Sequence, residues 1–175
     1  MVENIQNLIP YTVVLGQVAL LVLLVSLLLR NKFAKWVGKH ALFIGFLASI
    51  SAVSGSLFYS EIVGFEPCIL CWWQRLAIYP MGIFFLVACL TKDRGVFKYV
   101  VPLVTLGGIV ALYHSYVYWG GTSILPCTAL GGACSKNFVY AFGGYVNIPA
   151  MSLTIIVTLL LLAWANKMYE NSHSR

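Results

Sequence analysis

Cys68 and Cys71 follow Pro67 with two residues between them, and that spacing has an identifiable chemistry. At the start of a helix, Cys-x-x-Cys places two sulfurs on adjacent turns of one face, close enough to bridge. The partial positive charge and free amides of a helix N-terminus stabilise a thiolate. Such a thiolate attacks disulfides and also leaves from them readily. Proline suits the beginning of that helix because it has no amide hydrogen to leave unpaired. A static disulfide or half of a metal site are the competing readings. Zinc needs two further ligands, which Cys127 and Cys134 formally supply. Their six intervening residues are unusual for zinc, however, and no histidine lies in residues 61–67 or 120–147. Redox exchange is the preferred reading, and no metal is expected.

Cys127 and Cys134 enclose Thr-Ala-Leu-Gly-Gly-Ala, a small and flexible segment. It is either pinned by a structural crosslink or free to carry a second exchanging dithiol toward the first pair or toward a docked protein. Cys89, among Val87, Ala88 and Leu90, reads as a small packing residue. Electrons that reach the first pair must leave it, and Arg75 lies four residues after Cys71 on the same helical face. At 1.5 Å per residue it sits about 6 Å deeper in the bilayer. Intramembrane arginines are costly and usually functional, although snorkelling to the headgroups is the alternative. His114, on the following apolar segment, reaches a comparable depth. Arg75 and His114 together offer hydrogen bonds and positive charge at the rim of a lipid-facing pocket. A quinone, ubiquinone or menaquinone, is the lipid-soluble acceptor that uses such groups. Trp72, Trp73, Tyr116, Tyr118 and Trp119 either wall that pocket or form an interfacial aromatic belt.

The elements that position these residues follow from composition. The 175-residue chain is 61% hydrophobic and 9% charged, with a mean hydropathy of +0.89. Soluble domains are about 25% charged, so this is an all-α integral membrane protein. The net charge of +6 then reports loop distribution rather than nucleic-acid binding. Residues 10–29, 41–60, 99–119 and 148–166 are each long and apolar enough to cross a bilayer. Residues 76–90 are too short alone and must extend back to Cys68, enclosing Arg75. Nine of the eleven Lys and Arg fall in residues 30–40, 91–98 and 167–175. The positive-inside rule makes that face cytoplasmic, with Met1 and all four cysteines of the two pairs outside. The first segment lacks a basic leader and a small-residue cleavage site, so a retained anchor is expected. Gly45, Ala48, Ala52 and Ser56 on the second span, and Gly107, Ala111 and Ser115 on the fourth, suit close helix packing. The expected architecture is a four-helix transmembrane bundle plus one additional N-terminal transmembrane helix leaning on its outside. Residues 1–40 form the anchor and basic loop, 41–166 the redox bundle, and 167–175 a cytoplasmic tail.

Pro-Cys-Ile-Leu-Cys-Trp-Trp-Gln-Arg, from Pro67 to Arg75, closely resembles the signature of the DsbB-type disulfide bond formation proteins. So do the order of the two pairs, the histidine before the second pair, and Gly-Tyr-Val-Asn-Ile-Pro-Ala-Met-Ser-Leu at the last helix. The short separation of Cys127 and Cys134 is most similar to the compact BdbC-like branch. The resemblance implies a thiol:quinone oxidoreductase of the bacterial cytoplasmic membrane, active on its outer side. It implies a DsbA-like, thioredoxin-fold thiol oxidase as partner, whose thiolate attacks Cys127. By the same resemblance Cys134 exchanges with Cys68, Cys71 faces the quinone beside Arg75, and His114 contacts the quinone. The N-terminal helix is additional to the family's four, and the second loop is shortened. Vitamin K epoxide reductases have similar chemistry and helix count, but their loop pair precedes the Cys-x-x-Cys. A soft-metal or small-solute carrier, or a structural subunit, leaves the Cys-x-x-Cys-x-x-x-Arg placement unexplained.

Overall fold

The structure, a computed structural model, describes residues 2–124, 139 and 141–173. Its helices are α1 (Val2–Leu28), α2 (Lys32–Lys39), α3 (Ala41–Leu57), α4 (Ile69–Thr91), α5 (Phe97–Tyr118) and α6 (Ile148–His173). A π-helical turn, Phe58–Ile62, extends α3, and a 3-10 turn, Arg94–Val96, precedes α5. Five helical segments are long and apolar enough to cross a membrane: Ile5–Leu28, Ala41–Ile62, Ile69–Thr91, Arg94–Tyr118 and Ile148–Ser172. The third runs back almost to Cys68, as the shortfall in residues 76–90 requires.

α3, α4, α5 and α6 close into a ring of antiparallel neighbours, and α1 lies outside it against α6 and α2. Small residues decide how near the neighbours come. A methyl group on Gly45 would lie 2.6 Å from the Phe85 ring, and one on Gly107 would lie 2.7 Å from the Ala77 side chain. Both glycines therefore let α4 approach, on one side α3 and on the other α5. Phe85, Met81, Val100, Val104, Leu159 and Leu162 fill the resulting core at 1% exposure or less. Ala48, Ala52 and Ser56 border a cavity, while Ala52 also packs against the cluster of Ile78, Ala111 and Ile156 and Ser56 meets Arg75 and Tyr79 of α4.

Residues 30–40 are also more ordered than a basic loop. Asn31 caps α2 by accepting a hydrogen bond from the Ala34 amide at 3.0 Å. Ala34, Val37 and Gly38 turn inward, while Phe33 and Trp36 stay exposed. The contact with α6 is so close that a methyl on Gly38 would lie 2.3 Å from the Ala165 carbonyl oxygen. Arg94 ties this end of the molecule together. It donates to the Gly38 carbonyl at 2.9 Å, to the Lys39 carbonyl at 2.7 Å and to the side-chain oxygen of Asn166. Its guanidinium also stacks 4.6 Å from the Tyr169 ring centroid. Both carbonyls belong to the C-terminal turn of α2, where the helix dipole favours a cation.

A charged hydrogen bond contributes about 1.5–3 kcal/mol when its partners are partly buried. Arg94→Ala should therefore cost on the order of 3 kcal/mol in detergent-solubilised thermal or denaturant unfolding, while Arg94→Lys, which keeps charge but loses the fork, should recover less than half.

Candidate functional site

The chain reaches the site through the π-helical turn and a short connection. Gly64 adopts a left-handed conformation (φ +78°), which turns Phe65 back so that its ring stacks on Tyr59 at 5.6 Å. α4 then begins, and Cys68 is its N-cap with φ −72° and ψ 167°. Pro67 thus precedes the cap rather than occupying the first helical turn. The Cys68 sulfur accepts a hydrogen bond from the Cys71 amide at 3.3 Å, the role that a serine or aspartate oxygen usually takes. A thiolate there is favoured over a neutral thiol, because it accepts that bond while sitting at the positive end of the helix dipole. The Cys68 and Cys71 sulfurs are 2.8 Å apart. Cys68 is 1% exposed and packs with Leu70 and Val117. Cys71 is half-buried and lines a cavity.

His114 comes from α5 and is 3% exposed. Its Nε2 lies 3.8 Å from the Cys68 sulfur, and its Nδ1 lies 2.9 Å from Nε2 of Gln74. With the amide of Gln74 donating to Nδ1, the ring proton sits on Nε2 and faces the sulfur. Gln74 is itself 2% exposed. Sequence reasoning assigned it no role. The available signal was a polar residue three positions after Cys71, and hence on the same helical face, inside an apolar run. The resemblance placed His114 toward the acceptor; the structure sets its ring against Cys68 and on the cavity wall at once.

Arg75 is on the same wall and half-buried. It donates to the Ser56 carbonyl at 3.4 Å, and its guanidinium lies 5.3 Å from the Trp72 ring and 5.9 Å from the Tyr79 ring. Tyr79 donates to the Ser56 hydroxyl at 3.1 Å, so both α4 residues are anchored to α3. The cavity measures about 580 Å³, within the range of small-molecule sites. Of the five aromatic residues named from the sequence, Tyr118 lines it. Trp72, Trp73, Tyr116 and Trp119 are each more than half exposed and lie off the cavity wall, the arrangement of an interfacial belt. Tyr59 and Phe65, which the sequence did not single out, supply the other aromatic surfaces.

Cys68, Cys71 and His114 hold their two sulfurs and a ring nitrogen within 4.8 Å of one another. Among the described residues, the third group that could serve as a ligand is the helix histidine His114. Cys127 and Cys134 lie outside the described residues. Ile124, before them, donates its amide to the Tyr113 hydroxyl at 2.8 Å, and Tyr113 packs on the cluster that contains Cys68. At the other end, Asn147 caps α6 by accepting from the Ala150 amide at 2.9 Å and donates to the Gly144 carbonyl at 2.9 Å.

Residues 38–166 match the family described as disulfide bond formation protein DsbB. The chain is 34% identical over 131 residues to the probable disulfide formation protein C 1 of Bacillus cereus (strain ATCC 10987 / NRS 248), covering 72% of this chain and 91% of that protein. It is 35% identical over 133 residues to the SPbeta prophage-derived disulfide bond formation protein B of Bacillus subtilis (strain 168), covering 73% and 89%. Disulfide bond formation protein C of the same organism is 32% identical over 122 residues, covering 69% and 87%. No solved structure matches. With the match running through the ring α3–α6 and the cysteine pair at its mouth, the chain belongs to the DsbB family of disulfide bond formation proteins.

Proposed function

We propose that the protein is a thiol:quinone oxidoreductase that reoxidises an extracytoplasmic DsbA-like, thioredoxin-fold thiol oxidase and passes the electrons to a membrane quinone. The observation that carries this reading is the division between the two sulfurs. Cys71 opens onto an apolar cavity that Arg75, Gln74 and His114 make polar at one end, while Cys68 is withheld from it. That division supports assigning Cys71 to an acceptor dissolved in lipid and Cys68 to exchange with a second dithiol. By the positive-inside rule, the basic residues of 30–40 and 91–98, in the segments at the other end of the bundle, support an orientation with the pair away from the cytoplasm.

The relay balances in two exchanges and one acceptor step. The partner's dithiol reduces a Cys127–Cys134 disulfide and leaves as a disulfide. Cys134 then attacks Cys68, breaking the Cys68–Cys71 bond and releasing Cys71 as a thiolate beside the cavity, and Cys127 attacks Cys134 in turn, re-forming the loop disulfide and releasing Cys68 as a thiol. When Cys68 and Cys71 bond again, they give up two electrons, and two protons accompany these to the acceptor, which leaves as the hydroquinone. Arg75 provides positive charge and donors where negative charge grows on the acceptor's oxygens. His114 stabilises anionic sulfur at Cys68, and Gln74 is a positioning residue that holds the ring in the tautomer needed for this. Tyr113 fastens the outgoing loop beside the Cys68 cluster, which shortens the search between the pairs.

A soft-metal carrier is the second reading, favoured by the convergence of Cys68, Cys71 and His114. Carriage requires stoichiometric metal on the purified reduced protein and thiol oxidation independent of quinone. The deciding experiment is quinone reduction by the purified protein with a reduced DsbA-like donor. Wild type should consume quinone and Cys71→Ser should not, while mixed-disulfide formation with the donor persists in the variant; full turnover by Cys71→Ser would refute the role given to that sulfur. Arg75→Ala should raise the quinone KM about tenfold, equivalent to about 1.4 kcal/mol, with donor KM unchanged. Gln74→Leu should lower kcat about tenfold while moving the donor KM less than threefold, because it releases the His114 ring that faces Cys68 and leaves the loop pair that meets the donor untouched.

A further inference from the structure

α1 lies outside the region matched by the family, which begins at residue 38, yet it borders the same cavity as the cysteine pair. Ile9, Thr12, Val13 and Gly16 all line that cavity. Their spacing of three, four and seven residues places them on one face of the helix. The opposite face, with Leu15, Val18 and Val22, is more than half exposed and suited to lipid. A methyl group built on Gly16 meets nothing within 4 Å, and the same holds for Gly55 on α3. Neither glycine is needed for helix contact, unlike Gly45 and Gly107. They leave space.

The attachment of α1 is also specific. The side-chain amide of Gln17 donates to the Thr154 hydroxyl at 3.0 Å and its oxygen accepts from the Tyr145 hydroxyl at 3.0 Å. Thr154 in turn donates to the Ala150 carbonyl at 2.8 Å. Tyr11 meets Phe142 edge-on at 5.2 Å. An apolar anchor passing through lipid needs no such polar tether, and a glutamine at this depth is costly unless both ends of its amide are paired. The bonds fix α1 in rotation, with the Gly16 face turned inward.

The cavity therefore has two chemical ends. Cys71, Gln74, Arg75 and His114 form the polar end, and Ile9, Val13, Gly16 and Ala48 contribute apolar or vacant surface. An acceptor with a polar ring and an apolar chain fits that division. We propose that α1 is a wall of the acceptor cavity, and that Gly16 keeps open the volume occupied by the acceptor's apolar chain. The reading of the acceptor as a quinone rests on the function proposed above; the assignment of α1 as a wall does not.

The test uses the full chain in lipid nanodiscs with Gly16→Phe, and Thr12→Phe on the same face as a second variant. Val18→Phe, on the lipid side, is the control. In the first readout the reduced proteins are treated with N-phenylmaleimide and Cys71 modification is followed by peptide mass spectrometry. Gly16→Phe and Thr12→Phe should slow Cys71 labelling at least fivefold relative to Val18→Phe, and equal rates in all three would overturn the wall. In the second readout, the KM for a long-chain quinone should rise at least tenfold in Gly16→Phe and that for a short-chain analogue less than threefold. An equal rise for both, or none, overturns the assignment to the chain. Slowed labelling in a protein whose wild type reduces no quinone would sustain the wall and refute the proposed function. Normal turnover with labelling as fast as the control would do the reverse.

Discussion

A histidine buried at membrane depth must have both ring nitrogens accounted for, because no water is available there to satisfy them. Gln74 meets that demand for His114, and much of the site follows from it. With Nδ1 engaged, Nε2 is directed at the Cys68 sulfur. Gln74 and Cys71 are three residues apart on α4, so the helix that supports the histidine also carries the sulfur facing the cavity. The distance between α4 and α5 is then a functional quantity. It is set by Gly107, which lets the Ala77 side chain approach where any larger residue would separate the helices.

The two ends of the bundle solve opposite problems. At the basic end, Arg94 gathers the last carbonyls of α2 and the side chains of α6 into one cluster, and Gly38 removes the space between them. That end is closed by close packing and charge-assisted bonds. At the cysteine end α3 widens into a π-helical turn and presents small residues to an open space. π-Helical turns are often found at functional sites, and here Tyr59 lies within one and walls the cavity. Rigidity at one end and vacancy at the other are compatible because the ring α3–α6 is continuous between them.

Small residues illustrate how one pattern serves two ends. Gly45 and Ala48 are neighbours in a single stripe on α3, yet the first admits the Phe85 ring and the second faces the cavity. Spacing alone does not separate these uses. The difference arises from what faces each residue: Gly45 meets the Phe85 ring of α4, whereas Ala48 faces the cavity that Val13 and Gly16 of α1 also line.

The amino-acid sequence by itself determined the membrane class, the five spans, the shortfall that draws the third helix back to Cys68, and the cysteine pair at the start of that helix. Those properties depend on composition, length and local spacing, which act along the chain. It also marked Arg75 and His114 as polar residues too costly to bury without purpose. Only the tertiary structure decided that Gln74 is His114's partner, that Cys71 and not Cys68 borders the cavity, and that Trp72 and Trp73 face outward. It likewise decided that residues 30–40 hold an amphipathic helix docked on α6, and that α1 reaches the site. Each of these rests on contacts between residues far apart in the chain, Gln17 with Thr154 and Gln74 with His114 among them. Such contacts are fixed by the rotation and separation of packed helices, and an apolar run of nearly uniform hydrophobicity carries little information about either.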